Sequence, residues 1–301
     1  MNRNIVPFVG ESSFTKEIKA LIQTLSKNNS SILLIGERGA GKRLIAQHIH
    51  FSIAKSFGYF FEVNCKCFDD NQILVAFDTV SKLIAYEQRI TLFVSFVDQM
   101  PAPLQTSFLE LIKKSSAKGL DLKIICSVES SLEEKVNQGK FLSDLYYRLN
   151  AVVLNILPLR QRKEDIIPIA ESYLKSFAKK SGYEFSSFSD MAKTAMLNHF
   201  WLGNADELIN AVQRAFIVGK PPVIKAQDLG LEVENSVESN SAIETELEDK
   251  SLKAAVDLFK KEYITKILEE NGWNQTKTAE ILGIQRTYVI RLMNELDIRK
   301  K

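Results

Sequence analysis

Residues 31–50 read SILLIGERGAGKRLIAQHIH, and the order of residue types in this stretch decides the fold of most of the chain. Ile32, Leu33, Leu34 and Ile35 form a short apolar run rich in β-favouring side chains. Gly36, Gly39 and Gly41 follow, and Leu44, Ile45 and Ile49 then recur at helical spacing. Strand, glycine-rich turn and helix in that order are the setting a phosphate-binding loop requires, and residues 36–42 satisfy G-x-x-x-x-G-K. Glycines let the backbone curl so that successive N–H groups converge on an anion. The helix start adds its positive dipole end, and Lys42 adds a mobile charge. Gly36, Glu37, Arg38, Gly39, Ala40, Gly41, Lys42 and Arg43 are therefore the candidate nucleotide-binding residues. Arg43 stands where a Ser or Thr hydroxyl would ligate Mg²⁺. The pattern supports phosphate cradling but not metal handling, and no metal site is expected.

A length of 301 residues predicts two domains with room for a small third. Apolar residues at 45% and charged residues at 25% are enough to fill a core and solvate a surface. With a net charge of only +2, any basic surface for a polyanion must be local. The opening MNRNIVPFVGESS carries no apolar leader core, and no apolar run reaches membrane-spanning length. A cytoplasmic, nucleoid-associated protein with no membrane partner is the expectation. Cys65, Cys67 and Cys126 offer one C-x-C pair and no second, which predicts reduced thiols. His48, His50 and His199 lack metal-ligand spacing and read as structural.

Outward from the glycine loop, a helix through Ile18, Leu21, Ile22 and Leu25 leads in. Strands are predicted over 59–63, 90–97, 122–128 and 152–157, with a helix over 104–113, while 64–82 shows poor periodicity. Alternation of this kind predicts a doubly wound parallel sheet over residues 1–165. Residues 166–217 turn wholly helical (166–179, 189–198, 206–218), which makes 166–230 a small α-helical subdomain. Residues 231–250 are acidic, with Ser and Asn between the carboxylates, and read as a solvated linker. In 251–301, Leu252, Val256, Phe259, Tyr263 and Ile267 share one helical face, and Gly272 stops that helix. Asn274 is a good N-cap for a helix over 275–282. Gly283 turns the chain into a third helix, 286–296, that buries Val289, Leu292 and Leu296. Helix, glycine-containing turn and helix form the helix-turn-helix pattern.

Taken together, these features resemble the AAA+ enhancer-binding activators of bacterial transcription, the NtrC type, joined to a Fis-type helix-turn-helix. The likeness rests on FVGESS (8–13), GERGAGK (36–42), FEVNC (61–65), TLFV (91–94), FLSDLYYRLN (141–150), LPLRQRKEDI (157–166), WLGNADEL (201–208) and NQTKTAEILGIQRTYVIRLMNELDI (274–298). It implies an α/β fold: a P-loop AAA+ doubly wound parallel sheet with a helical lid, plus a small all-α DNA-binding domain. It also implies ATP or ADP bound between subunits of a ring that remodels polymerase carrying the sigma-54 class of sigma factor.

Set against that pattern, the positions for chemistry depart. In the family an acidic pair follows the Walker B strand, one carboxylate for Mg²⁺ and one to activate water. Here those positions are Ser95 and Phe96. Asp98 lies two residues on, about 6–7 Å further if the strand continues. The family's sensor Asn aligns with Glu129, the first trans-acting arginine with Leu142, and the lid arginine with Asp206; the second trans-acting arginine is retained as Arg148. No catalytic residue is expected: a pseudo-ATPase, not an enzyme. The Gly-Ala-Phe-Thr-Gly-Ala loop that touches the sigma factor has no counterpart between Cys65 and Thr91, and no phosphorelay receiver is expected in cis.

The terminal domain keeps its polar chemistry. Gln275, Thr276 and Lys277 cap one helix, and Gln285, Arg286, Thr287, Tyr288, Arg291 and Asn294 lie on or near the outward face of the next. Arg suits bidentate contact with guanine edges, while Lys, Thr and helix N-termini hold phosphates. The resemblance implies a two-fold dimer formed through residues 252–268 and a palindromic double-stranded DNA site. The sequence thus predicts a DNA-binding transcription regulator whose AAA+ domain binds but does not split nucleotide. One alternative is a slow ATPase that activates sigma-54 transcription through RNA polymerase. Another is an interaction protein that forms mixed rings with intact homologues.

Overall fold

The computed structural model describes residues 6–53, 58–85, 89–181, 187–231, 257, 260–261, 263–265, 267–269 and 271–299. The chain divides into two units, Met1–Glu232 and Val233–Lys301. In the first, helix α1 (Ser13–Leu25) precedes strand β1 (Ile32–Ile35) and helix α2 (Lys42–Ile53). Then come β2 (Gly58–Asn64), α3 (Asp70–Ala85), β3 (Arg89–Ser95), α4 (Ala102–Ala117) and β4 (Leu122–Val128). Short helices α5 (Glu133–Asn137) and α6 (Ser143–Leu149) lead into β5 (Val152–Asn155).

The five strands form one parallel sheet in the order β2-β3-β4-β1-β5. Every residue of β4 is buried, as expected of a strand covered on both faces. One apolar layer gathers Ile73, Phe77 and Val80 of α3 with Phe108 of α4; the other gathers Ile18 and Ile22 of α1 with Ile45 and Ile49 of α2. Strand β1 lies between β4 and β5, so its carboxyl end delivers the glycine loop to the middle of the sheet edge, where α/β proteins bind ligands.

Two expectations need correction here. The stretch read as poorly periodic contains α3, which buries Ile73, Phe77, Val80 and Ile84 at a helical period. Its start is fixed by an exchange between Asp69 and Gln72, each side chain accepting the other's backbone N–H (2.8 and 3.1 Å). Exposed Leu74 and Val75 on the opposite face blur the pattern in sequence. Strand β3 ends at Ser95 rather than running to residue 97: Phe96 takes φ 55°, and Val97–Gln99 form a 3₁₀ turn. Asp98 therefore sits on a turn, not two residue rises along a strand.

The lid follows as α7 (Ile166–Ser181), α8 (Asp190–Asn198) and α9 (Asn204–Val218) around buried Trp201, Leu208 and Val212. It is not wholly helical, since Ser187–Phe188 and Val223–Ile224 pair as a short parallel ladder, β6 with β7. In the second unit, α10 (Gln275–Leu282) and α11 (Arg286–Glu295) pack on Ile264, Leu268 and Ile298. The predicted linker from residue 232 onward, and Leu252, Val256 and Phe259 of the predicted first helix, lie outside the described residues. Among the described residues, no helix is long and apolar enough to cross a membrane.

Candidate functional site

The glycine loop has the backbone a phosphate cradle needs. Gly39 and Gly41 take φ 74° and 95°, and a side chain at Gly41 would meet nothing within 4 Å, so that backbone faces open space. Gly39 is tight instead: a Cβ there would collide with the carbonyl of Gly203 in the lid. Lys42 folds back to donate to the carbonyls of Gly36 (2.5 Å) and Glu37 (2.8 Å). Burial lowers its pKa, while the charges of Glu129 and Asp206 pull it back up.

The lid is clamped onto this loop by polar contacts. Arg160 grips Glu37 with both guanidinium ends (2.7 and 2.5 Å) and lies over the Phe200 ring. Asn204 donates to the Arg38 carbonyl (2.9 Å) and to Glu37 Oε2 (3.1 Å), and accepts from Leu159 N (2.7 Å). Ala205 N donates to the Gly39 carbonyl at 3.0 Å, and buried Arg162 donates to the Ala40 carbonyl at 2.7 Å. The Arg160 guanidinium, with help from Asn204, holds the Glu37 carboxyl down at about 2. Sequence reading passed over Arg160 and Asn204 as parts of longer motifs; their partner lies more than a hundred residues away.

A cavity of about 670 Å³ opens between loop, sheet edge and lid. Its apolar lining includes Phe8, Val9, Leu44, Ile169 and Ile209, and its polar lining comes from the loop and the ends of β2 and β3. That volume falls in the usual range for small-molecule sites. A purine-sized group can sit on the apolar side chains while its phosphates meet the loop N–H groups and Lys42. Nucleotide thus fits the residues present.

Magnesium does not. Ser95 is buried and its hydroxyl is directed at the Val63 carbonyl (3.3 Å). Phe96, in the left-handed region at a cost on the order of 1–3 kcal/mol, puts its ring 5.1 Å from Lys66 Nζ. Asp98 Oδ2 accepts from Lys135 (2.8 Å) and Gln99 (2.7 Å) while its buried Oδ1 has no hydrogen-bond partner among the described residues, and Asp98 is not among the residues that line the cavity. Arg43 pairs with Glu62 at 2.7 Å. Among the described residues, no cluster of three or more His, Cys, Asp or Glu can hold a metal. Glu129 and Asp206 are exposed, Leu142 packs against the core, and Arg148 is exposed on α6. The histidines do structural work: His50 bonds Thr91 (2.9 Å) and His48 bonds the Val6 carbonyl (2.9 Å), while His199 accepts from Trp201 N (3.2 Å). Cys65, Cys67 and Cys126 are free thiols.

In the second unit the Asn274 side chain accepts from the N–H groups of Thr276 (3.1 Å) and Lys277 (3.2 Å), capping α10. Gly283 at φ 66° makes the turn, and Val289 and Leu292 anchor α11. Their burial leaves Gln285, Arg286, Thr287, Tyr288, Arg291 and Asn294 exposed, along with Thr276 and Lys277. Arg291 stacks 4.9 Å from the Tyr288 ring and pairs with Glu295 (3.2 Å), while Gln275 is half-buried against Met293.

Comparison with known proteins gives three family matches along the chain. Residues 8–155 match the sigma-54 interaction domain, 160–246 the AAA+ ATPase lid domain, and 255–296 the bacterial regulatory protein Fis family. The chain is 29% identical to the sigma54-dependent transcriptional activator SfnR of Pseudomonas putida, covering 92% of this chain and 85% of that protein. It is 28% identical to regulatory protein AtoC of Escherichia coli, covering 91% of this chain but 64% of that protein. Among solved structures, NtrX of Brucella abortus in complex with ADP superposes with a TM-score of 0.66 at 26% identity, over 97% of this chain and 69% of NtrX. Thermotoga maritima RuvB, at 14% identity and TM-score 0.52 over 94% of this chain and 86% of RuvB, shares the fold. With a sigma-54 interaction domain, an AAA+ lid and a Fis-type helix-turn-helix in that order, the chain belongs to the NtrC-type family of sigma-54-dependent transcription regulators.

Proposed function

We propose that this chain is a DNA-binding regulator whose AAA+ domain binds ATP or ADP and does not hydrolyse it. One observation carries the reading: the two residues at the end of β3 that line the cavity, Ser95 and Phe96, carry no carboxylate. Ser95 is turned to the backbone of β2, and Phe96 presents a ring. Neither can hold Mg²⁺ or take a proton from water. Asp206 and Leu142 stand where the family pattern has arginines, and loss of one arginine finger alone removes on the order of 10³–10⁵ in rate. Nucleotide binding is supported by the intact loop geometry and by NtrX, whose structures contain ADP or ATP. The helix α3 runs unbroken from Asp70 to Ala85 without the sigma-contacting sequence, which supports a regulator that does not engage sigma-54 polymerase through that loop.

The exposed reading face of α11 supports double-stranded DNA as the partner, bound as a dimer. Genome-wide occupancy of the full chain tests this. Discrete palindromic sites that vanish in an Arg286→Ala/Arg291→Ala variant are the expected result, and unchanged occupancy refutes it. Steady-state phosphate release with Mg²⁺ and DNA tests the other half, with no turnover above Lys42→Ala expected.

Arg148 supports a second role. Its exposure on α6 beside exposed Tyr147 supports a contact with a neighbouring subunit in a mixed ring with an intact homologue. Co-purification with such a homologue, and a phenotype that survives Arg291→Ala, distinguish this role from DNA reading.

A further inference from the structure

The cavity's phosphate side is built of side-chain cations where a metal would sit. Arg43 opens α2 immediately after Lys42 and reaches across to Glu62 of β2. Glu62 and Asn64 fall on the same face of β2 by two-residue alternation, and Asn64 is paired in register with Ser95. Beyond the strand end, Lys66 is placed by its contact with the Phe96 ring. Lys42, Arg43 and Lys66 all line the cavity, with the carboxylates of Glu62, from β2, and Asp206, from the lid, also in its lining.

The Arg43–Glu62 pair is weakly committed. The arginine side chain is 64% exposed and the glutamate 30% exposed, so water and salt compete for both. A polyphosphate brought to the loop by the N–H groups of residues 39–42 offers the planar guanidinium a better partner: multiply charged, with two oxygens for a bidentate contact. Mg²⁺ in such sites is held by a hydroxyl and carboxylates as well as by phosphate oxygens. Here the position after Lys42 is an arginine and the two at the end of β3 are a serine turned to the Val63 carbonyl and a phenyl ring, with Lys66 beside them.

Resting on the nucleotide-binding reading above, we propose that the site takes its nucleotide free of metal. Arg43 and Lys66 neutralise the terminal phosphates in place of Mg²⁺, and Glu62 is the internal anion that nucleotide displaces from Arg43. Nucleotide binding then releases Glu62 from α2, a change confined to the ends of α2 and β2. The site responds to total ADP and ATP and not to their magnesium complexes alone.

The test is calorimetric titration of the full chain with ADP and with ATP, in excess EDTA and in excess Mg²⁺. The expected Kd values in the two buffers agree to within about threefold, because the positions after the glycine loop and at the end of β3 hold Arg43, Ser95 and Phe96 in place of a hydroxyl and two carboxylates beside the phosphates. Arg43→Ser weakens binding in EDTA by about tenfold, the usual worth of a hydrogen bond to a charged group. Glu62→Gln tightens it by about threefold, because the competing pair is exposed. Unchanged thermal melts of both variants separate these effects from misfolding. Tightening by Mg²⁺ of tenfold or more overturns the metal-free site alone, as does an Arg43→Ser variant that binds normally in EDTA. Absence of binding in both buffers overturns this inference together with the nucleotide-binding reading.

Discussion

The glycine loop and the reading helix differ in where their chemistry is stored. In the loop, most of the phosphate chemistry belongs to the backbone: Gly39 and Gly41 in left-handed conformations, N–H groups at the start of α2, and one lysine. Substitution around it can remove the metal and the hydrolytic water while the cradle survives. In α11 the chemistry is all side chain, with Val289 and Leu292 serving only to hold the exposed arginines at their spacing. A domain whose binding is built into its fold can lose catalysis and remain a binder. A domain whose binding is built from side chains keeps its function only while those residues persist.

That contrast can be broken most forcefully on the DNA side. Arg286→Ala with Arg291→Ala should cost about 1–3 kcal/mol per lost bidentate contact, so a fluorescence titration should show specific binding fall by one to several orders of magnitude. Lys277→Ala should instead weaken all sequences alike and reduce the salt slope by about one. Equal losses on specific and random DNA from the arginine pair would mean the helix does not read bases.

On the nucleotide side the expected effects are smaller. Asp206→Arg restores a cation at the lid position and removes an anion, which should tighten ADP binding by about tenfold in a competition assay. Gly39→Ala strains a left-handed φ and drives a methyl into the Gly203 carbonyl. It should destabilise the first unit by about 1–3 kcal/mol, read as a lower Tm of the full chain, and an unchanged Tm would mean that the loop tolerates the methyl.

The smallest effect is a pH dependence. Glu37 titrates near 4.5 when free and near 2 when gripped by Arg160. Its contribution to the lid clamp is therefore complete above 4.5 and fades as pH falls through that window towards 2. The protection factor of the Ala205 amide, which donates to the Gly39 carbonyl, should fall over this range in the native chain and stay constant with pH in an Arg160→Ala variant. No change in protection would mean the clamp does not depend on that carboxylate.

Local pattern made the sheet and the reading helix legible in sequence. Buried parallel strands are continuous apolar runs, and β1, β3 and β4 stand out as such. The cap at Asn274 and the turn at Gly283 mark the terminal helices within a few residues of one another. Helix α3 was hidden because Leu74 and Val75 break its polar face. The turn at Phe96 was hidden because a phenylalanine gives no hint of a left-handed φ. The candidate site was half visible. Loop residues 36–43 could be named directly, but the clamp of Arg160 and Asn204 on Glu37 joins segments far apart in the chain. The same holds for Lys66 on Phe96 and Glu62 on Arg43, which exist only once β2, β3 and α2 are packed together.

The fate of bound ATP tests the central claim most directly. The full chain is loaded with γ-labelled ATP, freed of excess nucleotide, incubated with Mg²⁺ and DNA, and its bound nucleotide recovered and separated. Intact ATP after many hours is the result this account predicts. Recovery as ADP with released phosphate, abolished by Lys42→Ala, would contradict it.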